Sequence, residues 1–242
     1  MADTAVSDVW RLRSRGCWGE AARLLEVDAN DPGSALERTA VLIEQCMFTS
    51  SGWSEAEDAL RAAEALARTD EQRGAAACER GHLAYASTVL GARDRADEAR
   101  AALGRGAALL ALDSPNRPLL DFRRGLISEH LSHNAPAARV AYRRAHAGAT
   151  EAGDDLLCSF TWRHLAGLAF QDGDLAEARH GFTESLRLRE QLGYLVGVAP
   201  ALTALADVES EVEAARLRAE AARLVQLLGG IPVWLSNQLA PT

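Results

Sequence analysis

The chain has 242 residues, of which 48% are hydrophobic and 25% are charged, a composition typical of a soluble protein with a sizeable core. Its net charge of −8 disfavours nucleic-acid binding, which needs a concentrated basic surface. All 26 basic residues are arginine, and this excludes mechanisms that need a P-loop lysine or a Schiff-base lysine.

Turn-forming segments divide the chain into amphipathic stretches of helical period. In chain order these turns lie at 31–33, 50–52, 113–116, 134–136 and 153–155, and no stretch between them alternates as a β-strand does. Six alanines that start an apolar stripe mark the second helix of successive helix pairs: Ala21, Ala56, Ala99, Ala138, Ala178 and Ala214. Their spacing of roughly forty residues predicts an all-α array of repeated helix pairs.

Residues 160–193 form the clearest of these pairs. Gly173 predicts the end of a first helix, and Asp174 predicts the N-cap of a second. The first helix carries an apolar stripe that begins at Trp162, and the second carries one that includes Phe182. The full pattern consists of Trp162, Leu165, Ala166, Ala169, Gly173, Leu175, Ala178, Phe182 and Ser185.

This pattern resembles the tetratricopeptide repeat (TPR), although Ser185 replaces the usual alanine and Glu190 stands where a helix-ending proline is usual. The resemblance implies a right-handed superhelical α-solenoid of about six antiparallel helix pairs, in a single domain over residues 1–229. Residues 230–242 would form a tail that caps the last core or docks elsewhere. The long repeats are similar to the arrays found in bacterial transcription regulators.

The resemblance also implies that the first helix of each pair lines a concave groove. Arg123 and Arg163 follow Phe122 and Trp162 in successive pairs, and we expect both to point into that groove. His130 and Phe170 stand seven residues further along the same faces. Two guanidiniums near an imidazole and an aromatic ring suit a carboxylate or an acidic peptide.

Arginines on amphipathic helices also serve purely structural roles, and this alternative stays open for both residues. A guanidinium stem covers apolar neighbours, and its head pairs with a nearby acid. The asparagines with which some relatives clamp a C-terminal carboxylate are Ile127 and Gly167 here, so that particular specificity is not expected.

The sequence contains only weak signals for metal binding and for catalysis. Two possible metal ligands lie within one helical turn at His130 and His133, which follow Glu129, and again at Cys78 and His82. Neither pair gains a third ligand from a recognised motif, so no metal or other cofactor is assigned. Nucleophile elbows and glycine-rich phosphate loops are absent from the sequence, and no catalytic residue is assigned. The four widely spaced cysteines are expected to be buried thiols.

We therefore expect a protein- or peptide-binding scaffold, acting in the bacterial cytoplasm, with Arg123, Arg163, His130 and Phe170 in its groove. The expected partner is a protein or peptide with an acidic or carboxylate-bearing segment, and neither nucleic acid nor membrane is expected to bind. The N-terminal residues lack the basic and apolar regions of a secretory leader.

Two other functions remain open on the sequence alone. The chain could be a small-molecule-binding or enzymatic protein whose groove is closed by the segment around Trp234. It could also be a structural oligomer that stacks through apolar terminal faces.

Overall fold

The computed structural model describes residues 2–28 and 30–239, with side chains described for 8–28, 30–236 and 239. Over these residues the chain forms thirteen α-helices, one 3-10 turn and one π-helical segment, and no β-strand. The α-helices are α1 (Ala2–Arg13), α2 (Trp18–Leu25), α3 (Pro32–Thr49), α4 (Trp53–Leu66), α5 (Asp70–Val89), α6 (Ala96–Leu109), α7 (Arg117–Leu126), α8 (Ala135–Ala152), α9 (Asp155–Gln171), α10 (Leu175–Gln191), α11 (Leu195–Ala206), α12 (Glu211–Leu227) and α13 (Val233–Leu239). The 3-10 turn is Glu26–Asp28, and the π-helical segment is Ile127–Leu131.

Consecutive helices pack in pairs from α1/α2 to α11/α12, and neighbouring pairs stack on one another. The fold is therefore an all-α helical-repeat solenoid, as the sequence predicts. The six anchor alanines all lie in the second helix of their pair and are at most 5% exposed. A methyl group at these positions lets two helix backbones approach closely, which explains the small residue at each repeat.

The loops between helices follow from capping chemistry. Gly173 has φ of +81°, a left-handed conformation that glycine adopts without the Cβ clash of other residues. The carboxylate of Asp174 accepts a hydrogen bond from the backbone N–H of Glu177 at 3.0 Å and so caps α10. The helix end predicted at Gly173 and the cap predicted at Asp174 are both confirmed.

The two ends of the solenoid meet. The backbone N–H of Val196, at the start of α11, donates to the carbonyl of Ser14 at 3.1 Å. The indole N–H of Trp10 in α1 donates to the carbonyl of Leu192 at 3.2 Å. The first helix pair thus lies against the junction of α10 and α11.

The C-terminal tail also joins both ends. Helix α13 packs against α12 and α3, and Leu235 is 1% exposed within the core that contains Phe182 and Leu217. Trp234 beside it is 37% exposed. Up to residue 239 the tail therefore covers the last core, while residues 240–242 lie outside the described chain. Among the described helices none is long and apolar enough to cross a membrane.

Candidate functional site

Ionisable side chains from three successive pairs collect on the inner face, by which we mean the side where the first helices α5, α7 and α9 contact one another. The site has two parts. Arg123 and Glu79 form the first, between α7 and α5. The second part comprises Glu129 and His130 of the π-helical segment with Arg163 and His164 of α9, and we call it the Glu129 cluster.

Arg123 is buried, with 5% of its surface exposed, and both terminal nitrogens of its guanidinium have partners. One nitrogen, Nη2, donates to both carboxylate oxygens of Glu79 at 2.7 and 2.8 Å, and Nη1 lies 3.1 Å from the sulfur of Cys78. Burial alone would lower the pKa of Arg123, but the adjacent Cys78 and Glu79 raise it above its ordinary value. The structure places Arg123 inside the protein and not on an open groove. Its pairing with Glu79 is the purely structural role that the sequence left open for this residue.

Arg163 occupies the equivalent place one pair later and differs in its surroundings. It is partly exposed, and among the described side chains no acid or other acceptor lies within hydrogen-bond or ion-pair distance of its guanidinium. Its Cζ atom lies 5.8 Å from the centre of the Phe182 ring, in cation–π range. Burial lowers the pKa of Arg163, yet an arginine remains charged at neutral pH. The side chain is therefore a cation with unused donors.

The π-helical turn determines how Glu129 and His130 are presented. The backbone N–H of Ser132 bonds to the carbonyl of Ile127, five residues back, so the turn is wider than in an α-helix. The Glu129 carboxylate points to α9, where His164 Nδ1 lies 2.9 Å from its Oε2 atom. His130 Nε2 approaches the same oxygen at 3.5 Å. The phenol of Tyr142 in α8 donates to it at 2.5 Å.

The charge states in this cluster follow from those contacts. Although burial opposes it, the hydrogen bonds from His164 and Tyr142 lower the pKa of Glu129 to about 2, so the carboxylate is ionised. Burial lowers the pKa of both His130 and His164, and although the Glu129 carboxylate opposes this, the charge on Arg163 adds to it, so both pKa values lie below 6.5. The two imidazoles are therefore neutral at pH 7, and the cluster carries one negative and one positive charge.

The remaining groove residues predicted from the sequence are accessible. His130 has a side chain 35% exposed, and Phe170, near the end of α9, is 41% exposed. Sequence reasoning missed His164 as a member of the cluster and Tyr142 as a hydrogen-bond donor to Glu129. A register alignment that assumes regular α-helix could not place them, because the π-helical turn rotates Glu129 and His130 relative to that register.

Other charged sites in the interior are satisfied within the chain. Arg13 donates to Glu44 at 2.5 Å, and the same carboxylate accepts from Tyr194 at 2.9 Å. Arg189 donates to the carbonyl of Gly197 at 2.8 Å and lies over the ring of Phe160. These contacts stabilise the junction of the solenoid ends and leave few donors for a ligand.

A broad cleft of about 1060 Å³ lies away from this site, between α4, α6 and the turn after α5. Charges in the cleft and beside it are mutually paired, since Arg80 and Arg95 each contact both Glu57 and Glu98. Paired charges of this kind hold two repeats together and need no ligand.

Comparison with known proteins gives the fold and no family. No family model matches the sequence, and no curated protein matches it. Among solved structures, the chain is similar to the crystal structure of BtubC (BKLC) from P. vanneervenii, with a TM-score of 0.59 and 16% sequence identity over 94% of this chain and 92% of that one. At this identity the similarity supports a shared arrangement of helices and carries no residue-level correspondence.

Proposed function

We propose that this chain is a tetratricopeptide-like binding protein that holds a carboxylate-bearing segment of a protein or peptide on its inner face. Arg163 is the anchoring donor, with His130 and Phe170 beside the bound segment. A location in the bacterial cytoplasm fits the four free cysteines, since reduced thiols are usual in that compartment.

The observation that carries the proposal is the unused guanidinium of Arg163. A partly buried cation without an acceptor forgoes charge-assisted hydrogen bonds that a carboxylate supplies in a bidentate geometry. Phe170 lies about two turns further along α9 and offers an exposed apolar surface for residues next to the carboxylate. The proposed binding surface is short and lies along α9 and the neighbouring π-helical segment.

Peptides of random sequence provide the test. One library has free C-terminal carboxylates and a matched library has C-terminal amides, and binding is measured by fluorescence anisotropy. We expect enrichment of peptides with a free carboxylate or a terminal acidic side chain. Loss of a charge-assisted hydrogen bond costs about 1.5–3 kcal/mol, so Arg163→Gln should weaken the selected peptides by roughly 10- to 100-fold.

Arg143→Gln is the matched control, because Arg143 is an exposed arginine on the second helix α8 and has no described partner. This variant has the same change in net charge and should bind as the wild type does. Equal affinity for carboxylates and amides, or wild-type affinity in a folded Arg163→Gln variant, would refute the proposal. Selective binding of small carboxylates in place of peptides would favour a small-molecule function at the same residue.

A further inference from the structure

Three potential metal ligands of the Glu129 cluster converge on one point. One ligand atom from each of Glu129, His130 and His164 lies within 4.8 Å of the other two. Glu129 Oε2 is in contact with His130 Nε2 and with His164 Nδ1. The carboxylate oxygen is 3.5 Å from the first imidazole nitrogen and 2.9 Å from the second. Ligands at 2.0–2.1 Å from a tetrahedral zinc ion are about 3.3–3.4 Å apart, so small side-chain shifts would bring these atoms into coordination geometry.

From this geometry we propose that Glu129, His130 and His164 bind a divalent transition-metal ion, with zinc as the best match to two imidazoles and a carboxylate. Such a donor set leaves a fourth position open to water or to an anion. The proposal does not rest on the peptide-binding function, since it concerns binding of the metal alone.

The fold brings these ligands together from two helix pairs. Consecutive residues in an α-helix point about 100° apart, so Glu129 and His130 would not normally face one point. The π-helical turn Ile127–Leu131 changes their directions, and π-turns of this kind occur often at functional sites. His164 then approaches from α9, 35 residues further along the chain.

Hydrogen bonds within the protein account for the positions of Glu129 and His164 but not for the position of His130. Glu129 and His164 satisfy each other, and the hydroxyl of Tyr142 donates to the same carboxylate oxygen. His130 makes no hydrogen bond among the described residues, although its Nε2 atom lies 3.5 Å from that oxygen. Its side chain is 35% exposed, so a metal ion has a route from solvent. For His164 to bind the ion through Nδ1, its neutral imidazole would carry its proton on Nε2 in place of Nδ1.

The Tyr142 hydroxyl would then orient the ligating carboxylate, as hydrogen-bond partners of metal ligands commonly do. Arg163 acts in the opposite direction, because a neighbouring cation repels a divalent ion. This repulsion distinguishes the two proposals. Arg163→Gln should strengthen metal binding several-fold, whereas it should weaken peptide binding.

The experiment uses the full chain without an affinity tag, stripped with EDTA and titrated with ZnCl₂ by calorimetry. Titration with Co²⁺ is followed by the visible absorption of the bound ion. We expect one ion per chain and an intense tetrahedral cobalt spectrum. Removing a hydrogen-bond partner of a metal ligand costs roughly 10- to 100-fold in affinity, and His130→Ala and Glu129→Gln, which remove a ligand, should cost more.

His180→Ala is the matched control, because His180 is an exposed histidine on α10. It should retain wild-type affinity. Zinc should also raise the melting temperature of the wild type and leave that of His130→Ala unchanged. The melting transition of each protein shows that it is folded, so loss of zinc binding is distinguished from loss of structure. No stoichiometric binding, or binding equally strong in His130→Ala and Glu129→Gln, would overturn the proposal.

Discussion

Arg123 and Arg163 hold equivalent places in successive helix pairs and have opposite environments. Arg123 is buried against the Glu79 carboxylate, whereas Arg163 is partly exposed and has no acceptor among the described residues. The neighbouring pair explains the difference. Arg123 has the Glu79 carboxylate of the preceding first helix α5 beside it, whereas no carboxylate of a described residue takes that place at Arg163. One acid on the preceding helix therefore separates a structural arginine from one with free donors.

This difference shows what a repeat register can and cannot predict. It predicts the helix pairs and their small contact residues, because these depend on the helix period, but the π-helical turn at Ile127–Leu131 departs from that period. The pairing of a charge depends on a single residue of another helix, and that residue lies outside the repeat signature.

The largest expected effect comes from breaking the buried pair. Glu79→Ala leaves the Arg123 guanidinium without its carboxylate, at a site where both side chains are 5% exposed. Removing one partner of a buried ion pair typically costs about 3–5 kcal/mol, because the remaining charge is desolvated and uncompensated. Chemical denaturation at pH 7 should show a decrease of that size in the free energy of unfolding.

The double variant Glu79→Leu/Arg123→Met tests the reason for that loss. Replacing a buried pair with apolar side chains of similar volume is often neutral or stabilising. We expect the double variant to recover most of the stability that Glu79→Ala loses. A double variant as unstable as the single one would mean that the pair itself, and not an uncompensated charge, determines stability here.

The hydrogen bond that links the two ends of the solenoid should have the next largest effect. Tyr194 is 1% exposed and donates to the Glu44 carboxylate at 2.9 Å. Hydrogen bonds to charged groups contribute about 1.5–3 kcal/mol, so Tyr194→Phe should reduce the free energy of unfolding by that amount.

Tyr85→Phe is its control, since Tyr85 is also buried but its hydroxyl has no hydrogen-bond partner among the described residues. This change should stay within about 0.5 kcal/mol of the wild type, as substitutions away from such features usually do. Equal losses in the two variants would contradict the importance of the contact with Glu44.

A smaller effect is expected from pH. Burial lowers the pKa of His82 well below 6.5, and the nearby charges of Arg123 and Arg13 lower it further. Its Nδ1 atom has no hydrogen-bond partner, with Glu79 at 4.0 Å and the Tyr85 ring stacked beside it. The folded state therefore binds a proton less readily than the unfolded state, and stability is retained above pH 6.5 and lost as the pH falls below it.

One such histidine lowers the free energy of unfolding by up to about 1.4 kcal/mol for each pH unit below 6.5. Denaturation of the EDTA-treated protein from pH 7 to 5 should show a shallower loss of stability in His82→Gln than in the wild type. Parallel curves for the two proteins would show that His82 takes up its proton equally in both states.

The sequence predicted the fold in detail and the candidate site only in part. Helix pairs, the anchor alanines and the stop at Gly173 follow from local periodicity and capping, which a sequence records directly. The pairing of Arg123 with Glu79 and the approach of His164 to Glu129 join residues 44 and 35 positions apart. No local pattern encodes such contacts. The meeting of α1 with α11 likewise depends on the curvature of the whole array.

The smallest effect on stability is expected from a substitution of Arg163. It is also the most direct test of the difference between Arg163 and Arg123. If its guanidinium has no acceptor in the free protein, Arg163→Gln removes no ion pair and should change the free energy of unfolding by at most about 0.5 kcal/mol. The same substitution at Arg123 strands Glu79 in the interior and should cost several kcal/mol, in the range of about 3–5 for a broken buried pair. Denaturation of the two variants side by side measures both. A stability loss at Arg163 close to that at Arg123 would mean that its charge is already compensated within the fold, and the site would lose the free donor on which carboxylate recognition depends.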